Sequence, residues 1–543
     1  MPKWMRFDED ARNALIRGVE QLTRAVQVTL GPKGRLVMLD RPQGSPLVSS
    51  DGVSIAQEIE LEDPFEDMGA QLLREVAQRT NEVVGDGTTT ATVLAYALVS
   101  EAQQAMRDGV NPVDLVRGLE HGLRQALDAL CASSAPVTDS ARLAQVAAIA
   151  ANDAHVGQLV AEALHRVGTE GTITVEPSPT GETRLEVEEG LAFDRGYVTA
   201  HMATHADESV ADLSEPAILV TDQTVQGPDD ASTLIRLAEE SGKPLLVIAD
   251  EVRPMALPPL LRRPDGPPIV VVHPPEFGQW RRAALEDIAI ATGARLLARD
   301  LGDRLDAVQV SDLGSARRAR ITADRTVIFG AEGAPDAIRG RVQLVRRQLA
   351  EALAPIEQDK LRWRLSLLSG RTAVLYAGGA TAAERKARQQ RMEDALNAAR
   401  SALRHGVVPG GGAALVHVAA ALEGRLGAAP ANLQPGYRLM IRALTYPLRT
   451  LVRNTGGDPD RVLAHVLAGP PSLGYDALTG TETDLVGAGV LDPVQVVMTA
   501  LENAASVASL ILRTDALITD KPEVVDVTAG PARGGGAERL GMD

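Results

Sequence analysis

One cysteine, Cys131, stands in 543 residues. That excludes an intramolecular disulfide and any multi-cysteine metal site, and a lone thiol of this kind is expected to be buried and structural. Aromatic residues are also scarce, 3% of a chain that is 45% apolar, so its cores must be built from Ala, Val and Leu. Basic excess is missing: the formal net charge of −17 leaves nothing to offset phosphate repulsion and argues against a nucleic-acid binder. The same charge keeps a large soluble assembly from adhering to itself. Long apolar runs are absent, since Leu245 to Ala249 and Ile269 to Val272 fall far below the ~18 residues of a membrane helix. The opening Met1-Pro2-Lys3-Trp4-Met5-Arg6-Phe7-Asp8 has neither an apolar core nor a cleavage pattern. No signal peptide is expected, and the cytoplasm is the expected location.

The length calls for roughly three or four domains rather than one core. Residues 8 to 30 read as an amphipathic helix, with Ala11, Leu15, Val19, Leu22, Val26 and Leu30 at three- and four-residue steps. Gly31-Pro32-Lys33-Gly34 stops it, and Leu36 to Leu39 reads as a short strand. Helical pattern then dominates from about Met68 to Leu130. Beyond Pro136 the character changes: Gly171 to Glu176 and Arg184 to Val187 alternate as strands do. From about 190 to 372, apolar strands such as Ala217 to Val220, Leu245 to Ile248 and Ile269 to Val272 are separated by helical stretches. That alternation predicts an α/β domain with a largely parallel sheet. Helical pattern returns from Arg391 to about residue 513, so the first and last blocks are expected to form one domain. The end, Gly530 to Asp543, is too poor in apolar residues to fold alone.

The most informative segment is Gly85-Asp86-Gly87-Thr88-Thr89-Thr90, followed by the helical Ala91-Thr92-Val93-Leu94-Ala95. Glycines allow close backbone approach, and the first turn of a helix presents free N–H groups that attract anions. Three threonines add hydroxyls where phosphate oxygens would sit. Asp86 would repel a phosphate unless a magnesium ion lay between them. The plainer reading makes Asp86 a helix N-cap. Other carboxylate-bearing or Gly-rich turns are Thr29-Leu30-Gly31-Pro32, Ser50-Asp51-Gly52, Gly410-Gly411-Gly412 and the region of Asp492. Neither a Walker lysine motif nor a G-x-G-x-x-G after a strand is present, so neither usual nucleotide fold is indicated.

Taken together, these segments resemble one family. Val28 to Arg35, Asp51-Gly52-Val53-Ser54, Glu58 to Asp63, Asp67-Met68-Gly69-Ala70 and Gly85 to Thr90 match it in order. So do Phe193-Asp194-Arg195-Gly196-Tyr197, Glu393-Asp394-Ala395-Leu396 and Gly410-Gly411-Gly412. Over nearly its whole length the chain resembles the large subunit of the group I, GroEL-type chaperonins. The resemblance implies a multidomain α plus α/β fold. A helical equatorial domain (1–132 and 405–543) would bind ATP. A small intermediate hinge domain (133–188 and 373–404) and an α/β apical domain (189–372) that grips unfolded polypeptides would complete it. Carried over residue by residue, Thr29, Leu30, Gly31, Pro32, Gly87, Thr88, Thr89 and Thr90 would line the phosphates of ATP, and Asp86 would hold Mg2+. Gly411, Asp476, Ala477, Leu478 and Asp492 would surround the adenosine, Asp394 would orient the attacking water, and Asp51 would assist. Such chemistry leaves the protein mostly positioning and closure to perform.

The sequence departs from the family pattern in several places. Ser50 stands where a lysine reaching the terminal phosphate is usual, which removes a charge-assisted contact. Leu36 replaces a usual asparagine. In the expected apical groove Tyr197, Ile235, Leu257, Leu260 and Leu261 fit the pattern. His201, Met202, Ser232 and Arg262 depart from it. Pro258 and Pro259 interrupt a helix that is continuous in the family. Ala382 occupies the position of the usual carboxylate partner of Arg195 in a neighbouring subunit, with Glu384 two residues on. The expected partners are unfolded polypeptides, a small lid-like co-chaperonin and further copies of the chain in one or two seven-membered rings. Arg449 and Asp458 are candidates for ring-to-ring contacts. His201 and His205 share helical spacing, but no third ligand accompanies them. The main reading is an ATP-dependent folding machine; the alternative is a diverged paralogue acting as a binding or assembly scaffold.

Overall fold

A computed structural model describes residues 2–40, 47–168, 172–178, 180–204, 210–261, 266–352, 354–369 and 371–520. The chain divides into two compact units: Met1–Ala135 with Val407–Asp543, and Pro136–Gly406. Arg262, Pro264, His205 and the C-terminal tail lie outside the described residues.

In the first unit the amphipathic pattern becomes helix Asp8–Val26, with Leu15, Val19, Leu22 and Val26 inside. It packs against helix Pro64–Val84 so closely that a methyl group at Gly18 would meet the Glu66 carbonyl, and one at Gly69 the Leu15 carbonyl. Helices Thr88–Arg107, Pro112–Ser133 and Val494–Arg513 complete the core with Leu94, Leu98, Leu115, Leu119 and Leu501. Helix Val494–Arg513 is long and apolar enough to cross a bilayer by composition, yet it is a core helix, with Val497, Ala500, Leu501, Ala504, Ala508, Ile511 and Leu512 buried. Cys131 is exposed, contrary to expectation. Its neighbour Leu130 takes the core-facing position on helix Pro112–Ser133, and one residue further turns the thiol outward.

A second, smaller core in the same unit joins Val416, Leu448, Leu451, Val452, Val462, Val466, Tyr475 and Ala477. Arg449 pairs with Asp460 at 2.8 Å, and Asp458 caps helix Pro459–Ala468, so both candidates for ring-to-ring contacts have partners inside the unit.

The second unit is built on a ten-stranded sheet. Its order is Ile269–Val272, Leu245–Ile248, Ala217–Thr221, Gly314–Ile321, Thr326–Ala331, Arg184–Phe193, Arg371–Ala377, Thr172–Pro177. Ala211–Ser214 and Leu296–Leu297 are attached off this path. The expected largely parallel sheet is corrected to a mixed one. The three apolar strands at one end run parallel, whereas Gly314–Ile321, Thr326–Ala331 and Arg184–Phe193 pair antiparallel. The parallel strands are uniformly buried, as expected of strands covered on both faces, while Gly314–Ile321 alternates. One hydrophobic core surrounds the parallel end. Another joins helices Ser140–Ala151, Ala154–Val167 and Ala382–His405 to the strands Thr172–Pro177 and Arg371–Ala377.

A buried ionic node ties three helices of this unit together. Asp287, fully buried on helix Gly278–Thr292, accepts from Arg364 Nε at 2.6 Å and Arg341 Nε at 2.6 Å. Those arginines come from helices Pro355–Ser369 and Pro335–Glu351, and Arg364 is itself 5% exposed. Removing the carboxylate would leave the buried Arg364 guanidinium without its charged partner, while Arg341 would keep its 2.9 Å pair with Glu286. Asp287→Ala should therefore destabilise the second unit by about 3–5 kcal/mol, read as a lower-temperature transition in calorimetry; an unchanged transition would refute the node's role.

Candidate functional site

The glycine turn is built as its residues dictate. Helix Pro64–Val84 ends on Gly85 in the left-handed region, and helix Thr88–Arg107 begins on Gly87, with φ of 78°. A methyl group at Gly87 would also lie 2.6 Å from Val496 Cγ1, so conformation and space both demand glycine. Asp86 is not the cap. Its Oδ1 accepts from the Gly87 N–H at 2.5 Å, and no side chain caps the helix that follows. The first-turn N–H groups of Thr88, Thr89 and Thr90 therefore form an uncapped helix N-terminus.

Distant segments converge on this turn. Asp51 caps helix Gly52–Gln57, accepting from the N–H groups of Val53 (3.2 Å) and Ser54 (3.0 Å) and from Ser54 Oγ (2.7 Å). A methyl group at Gly52 would sit 2.7 Å from Thr89 Oγ1 and 2.8 Å from Thr88 Oγ1, so the two helix starts abut. Thr29 Oγ1 lies 3.4 Å from Thr89 Oγ1. From the other end of the chain, strand Val407–Pro409 pairs with Leu491–Pro493 and sets Val408 opposite Asp492. A methyl group at Gly410 would stand 2.9 Å from Asp492 Oδ1. Gly411 lies against Leu451 and the Tyr475 carbonyl, and Leu451 also fills the space beside Gly31. Asp476 accepts from the Leu478 N–H (2.9 Å) and Thr479 Oγ1 (2.9 Å); Ala477 is buried, whereas Leu478 is 67% exposed.

Two carboxylates in this cluster carry a charge that the surroundings do not answer. Burial pushes Asp492 up to about 7, and the Asp86 charge adds to that, partly offset by the Gly411 N–H. Burial likewise pushes Asp86 up to about 6, offset by the Gly87 N–H and reinforced by the Asp51 charge. Among the described residues, no three Asp, Glu, His or Cys side chains are grouped to hold a metal by themselves. The donor set that does exist, a hard carboxylate facing uncapped N–H groups and hydroxyls, fits a hard cation shared with a phosphate.

A profile of the TCP-1/cpn60 chaperonin family matches residues 22–522. The chain belongs to that family. It is 46% identical to "Chaperonin GroEL 4" of Bradyrhizobium diazoefficiens over 541 residues, covering 100% of both chains. Its fold is similar to that of the chaperonin gp146 from the bacteriophage EL 2 (Pseudomonas aeruginosa), crystallised in the presence of ATP-BeFx. That match has a TM-score of 0.67 and 24% identity, and covers 95% of this chain and 99% of the other.

Asp394 lies on helix Ala382–His405 of the second unit. Tyr197 and Leu260 are 8% and 3% exposed and belong to the core, Ile235 and Leu257 are half-buried against it, and Leu261 is at the surface. Leu257, Leu260 and Leu261 lie on the segment Leu257–Leu261, where Pro258 and Pro259 occupy the first helical turn, a position that tolerates proline. Arg195 stacks over the Phe277 ring at 4.8 Å, while Glu384 accepts from the Ala380 N–H at 3.0 Å. His201 sits in a three-residue 3-10 turn rather than on an α-helix, and His205 lies outside the described residues. Sequence reasoning missed Leu451 and Asn454, which contact the Thr29–Pro32 turn. A lone apolar residue and a lone amide at helical spacing carry no signal of that role.

The raised acidities have a defined consequence. With their folded values above the ordinary carboxylate range, Asp86 and Asp492 contribute stability that is complete below about pH 4. It is lost as pH rises through about 6 and about 7. Asp492→Asn should raise the melting temperature of ligand-free protein at about pH 8 and flatten its fall above about pH 5, each unit of relief being worth about 1.4 kcal/mol. Thermal melts across pH check this, and parallel curves for both proteins would contradict it.

Proposed function

We propose that the chain is an ATP-driven chaperone that binds non-native polypeptides and promotes their folding. The observation that carries this reading is the meeting of the uncapped Thr88–Arg107 helix start with Asp86 and Asp492, drawn from opposite ends of the chain. Family membership and full-length identity to a chaperonin favour folding activity over a scaffold role. The N–H groups and hydroxyls of Thr88, Thr89 and Thr90, with Thr29 to Pro32, would hold phosphates, and Asp86 would hold Mg2+. Gly411, Asp476, Ala477, Leu478 and Asp492 would take the adenosine. Mg2+ bound between Asp86 and phosphate would supply charge neutralisation at the transferred group. Asp51 already holds its helix start in place and would assist near the terminal phosphate, where Ser50 contributes no cation.

Asp394, carried over from the family motif, would orient the attacking water. Exposed apolar chains of unfolded protein would meet Leu257, Leu261 and Ile235, joined by Met255, which is 71% exposed. Binding of ATP would shift the population of client-binding and client-releasing conformations. The test combines two measurements. Asp394→Ala should leave ATP binding intact while lowering turnover by roughly a hundredfold or more. Wild-type protein should restore activity to a denatured enzyme only with ATP. No nucleotide binding by wild-type protein, or equal turnover in the variant, would sink the reading.

Self-association into rings, the family's assembly, has support in two open ribbons. Strands Lys3–Phe7 and Ala516–Asp520 pair antiparallel with Met5 opposite Ile518, both more than half exposed. Strands Val37–Leu39 and Leu47–Ser49 set Met38, 70% exposed, opposite Val48. Among the described residues both ribbons are two-stranded, and two-stranded ribbons with apolar faces are marginal alone and suit burial against another copy. Ile518→Lys should move the mass distribution in solution toward smaller species. An unchanged distribution would remove this ribbon from the assembly contacts.

A further inference from the structure

Resting on the ATP reading, we propose that Asn454 is a positioning residue for the phosphate-facing turn at Thr29–Pro32. Its side-chain amide donates twice across more than four hundred residues of sequence, to the carbonyl of Gln27 at 2.9 Å and to that of Leu30 at 3.0 Å. These two carbonyls bracket Thr29. Gln27 also receives the Leu30 N–H at 3.2 Å, and Val28 receives the Arg35 N–H at 2.7 Å, so the loop closes on itself around the residue that faces Thr89. Gly31 stands in the left-handed region beyond it.

Asn454 ends helix Tyr446–Asn454, and Leu451 lies one turn earlier on the same face. Leu451 is 6% exposed and lies between Gly31 and Gly411, its two methyls 2.1 Å and 3.3 Å from where β-carbons at those glycines would be. One short helix thus contacts the turn that would bind phosphate and the turn that would bind the nucleoside. Leu451 fixes their spacing by packing, and Asn454 fixes the orientation of the first by hydrogen bonds. Without the amide the 27–30 segment loses both hydrogen bonds to helix Tyr446–Asn454 and keeps the 3.4 Å Thr29–Thr89 contact. Ordering it would then fall on the nucleotide, weakening binding rather than the chemical step.

The decisive variant is Asn454→Leu, which keeps the size and removes both donors without adding a charge beside the phosphate-facing turn. Asn503→Leu is the control. Asn503 donates to Thr80 Oγ1 at 3.0 Å between two core helices, so its loss costs a comparable bond away from the turn. Nucleotide binding by calorimetry, ATPase kinetics and melting temperature are measured for all three proteins. The expected result for Asn454→Leu is a KM for ATP and a Kd for ADP raised roughly tenfold, with kcat within about twofold of wild type. The control should lose stability with unchanged KM. Failure of wild-type protein to bind adenine nucleotides would overturn the ATP reading itself. Wild-type binding with an unchanged KM in Asn454→Leu, or a fall confined to kcat, would overturn the role of Asn454 alone. An equal rise of KM in the control would assign the effect to general destabilisation and overturn it too.

Discussion

The constraint on which the first unit depends is the crowding of unsatisfied charge and unsatisfied N–H groups at one spot. Asp86 and Asp492 repel each other in a partly desolvated place, and a helix begins beside them without a side-chain cap. A protein selected only for stability would cap that helix and separate those carboxylates. Retaining both defects together makes sense if a ligand carrying opposite and matching charges completes the arrangement. Stability lost in the ligand-free state then returns as binding free energy.

The surrounding architecture is consistent with this reading. The defects lie on rigid elements: helix Thr88–Arg107 runs through the largest core of the unit, and Asp492 is fixed by a strand pair and followed at once by the buried helix Val494–Arg513. Gly87 touches Val496 of that same helix, and Gly52 touches Thr88 and Thr89. The turns therefore cannot drift apart without disturbing close-packed backbone. Preorganisation of this kind lets a site act on a ligand without paying for rearrangement at each cycle. The second unit solves a different problem. Its sheet changes from parallel to antiparallel pairing at Gly314–Ile321, and a buried Asp287 with two arginines locks its helices.

How much of this was legible in the sequence depends on whether a residue's role is local. Gly85, Gly87 and Gly411 need backbone conformations that announce themselves, and the three threonines after them mark a helix start. Local rules failed where a neighbour one position away decided the outcome. Cys131 faces outward because Leu130 faces inward, and Tyr197 and Leu260 are drawn into the hydrophobic core of the second unit. The mixed sheet was misread because buried parallel strands dominate the apolar pattern, while the antiparallel strands beside them alternate more quietly.

Roles that arise only through contact across the chain were silent. Asn454 is an ordinary amide at a helix end until residues 27 to 30 are folded onto it, and Leu451 is an ordinary core leucine until two glycines flank it. Both are small in energy compared with burial of the cores. They nonetheless set the relation between two ligand-facing turns that share no sequence neighbourhood. It follows that divergence at such a site need not touch the glycines, threonines or aspartates that make it recognisable. A change in the supporting helix would leave every motif intact and still alter the affinity, so motif matching alone overstates how closely two such sites work alike.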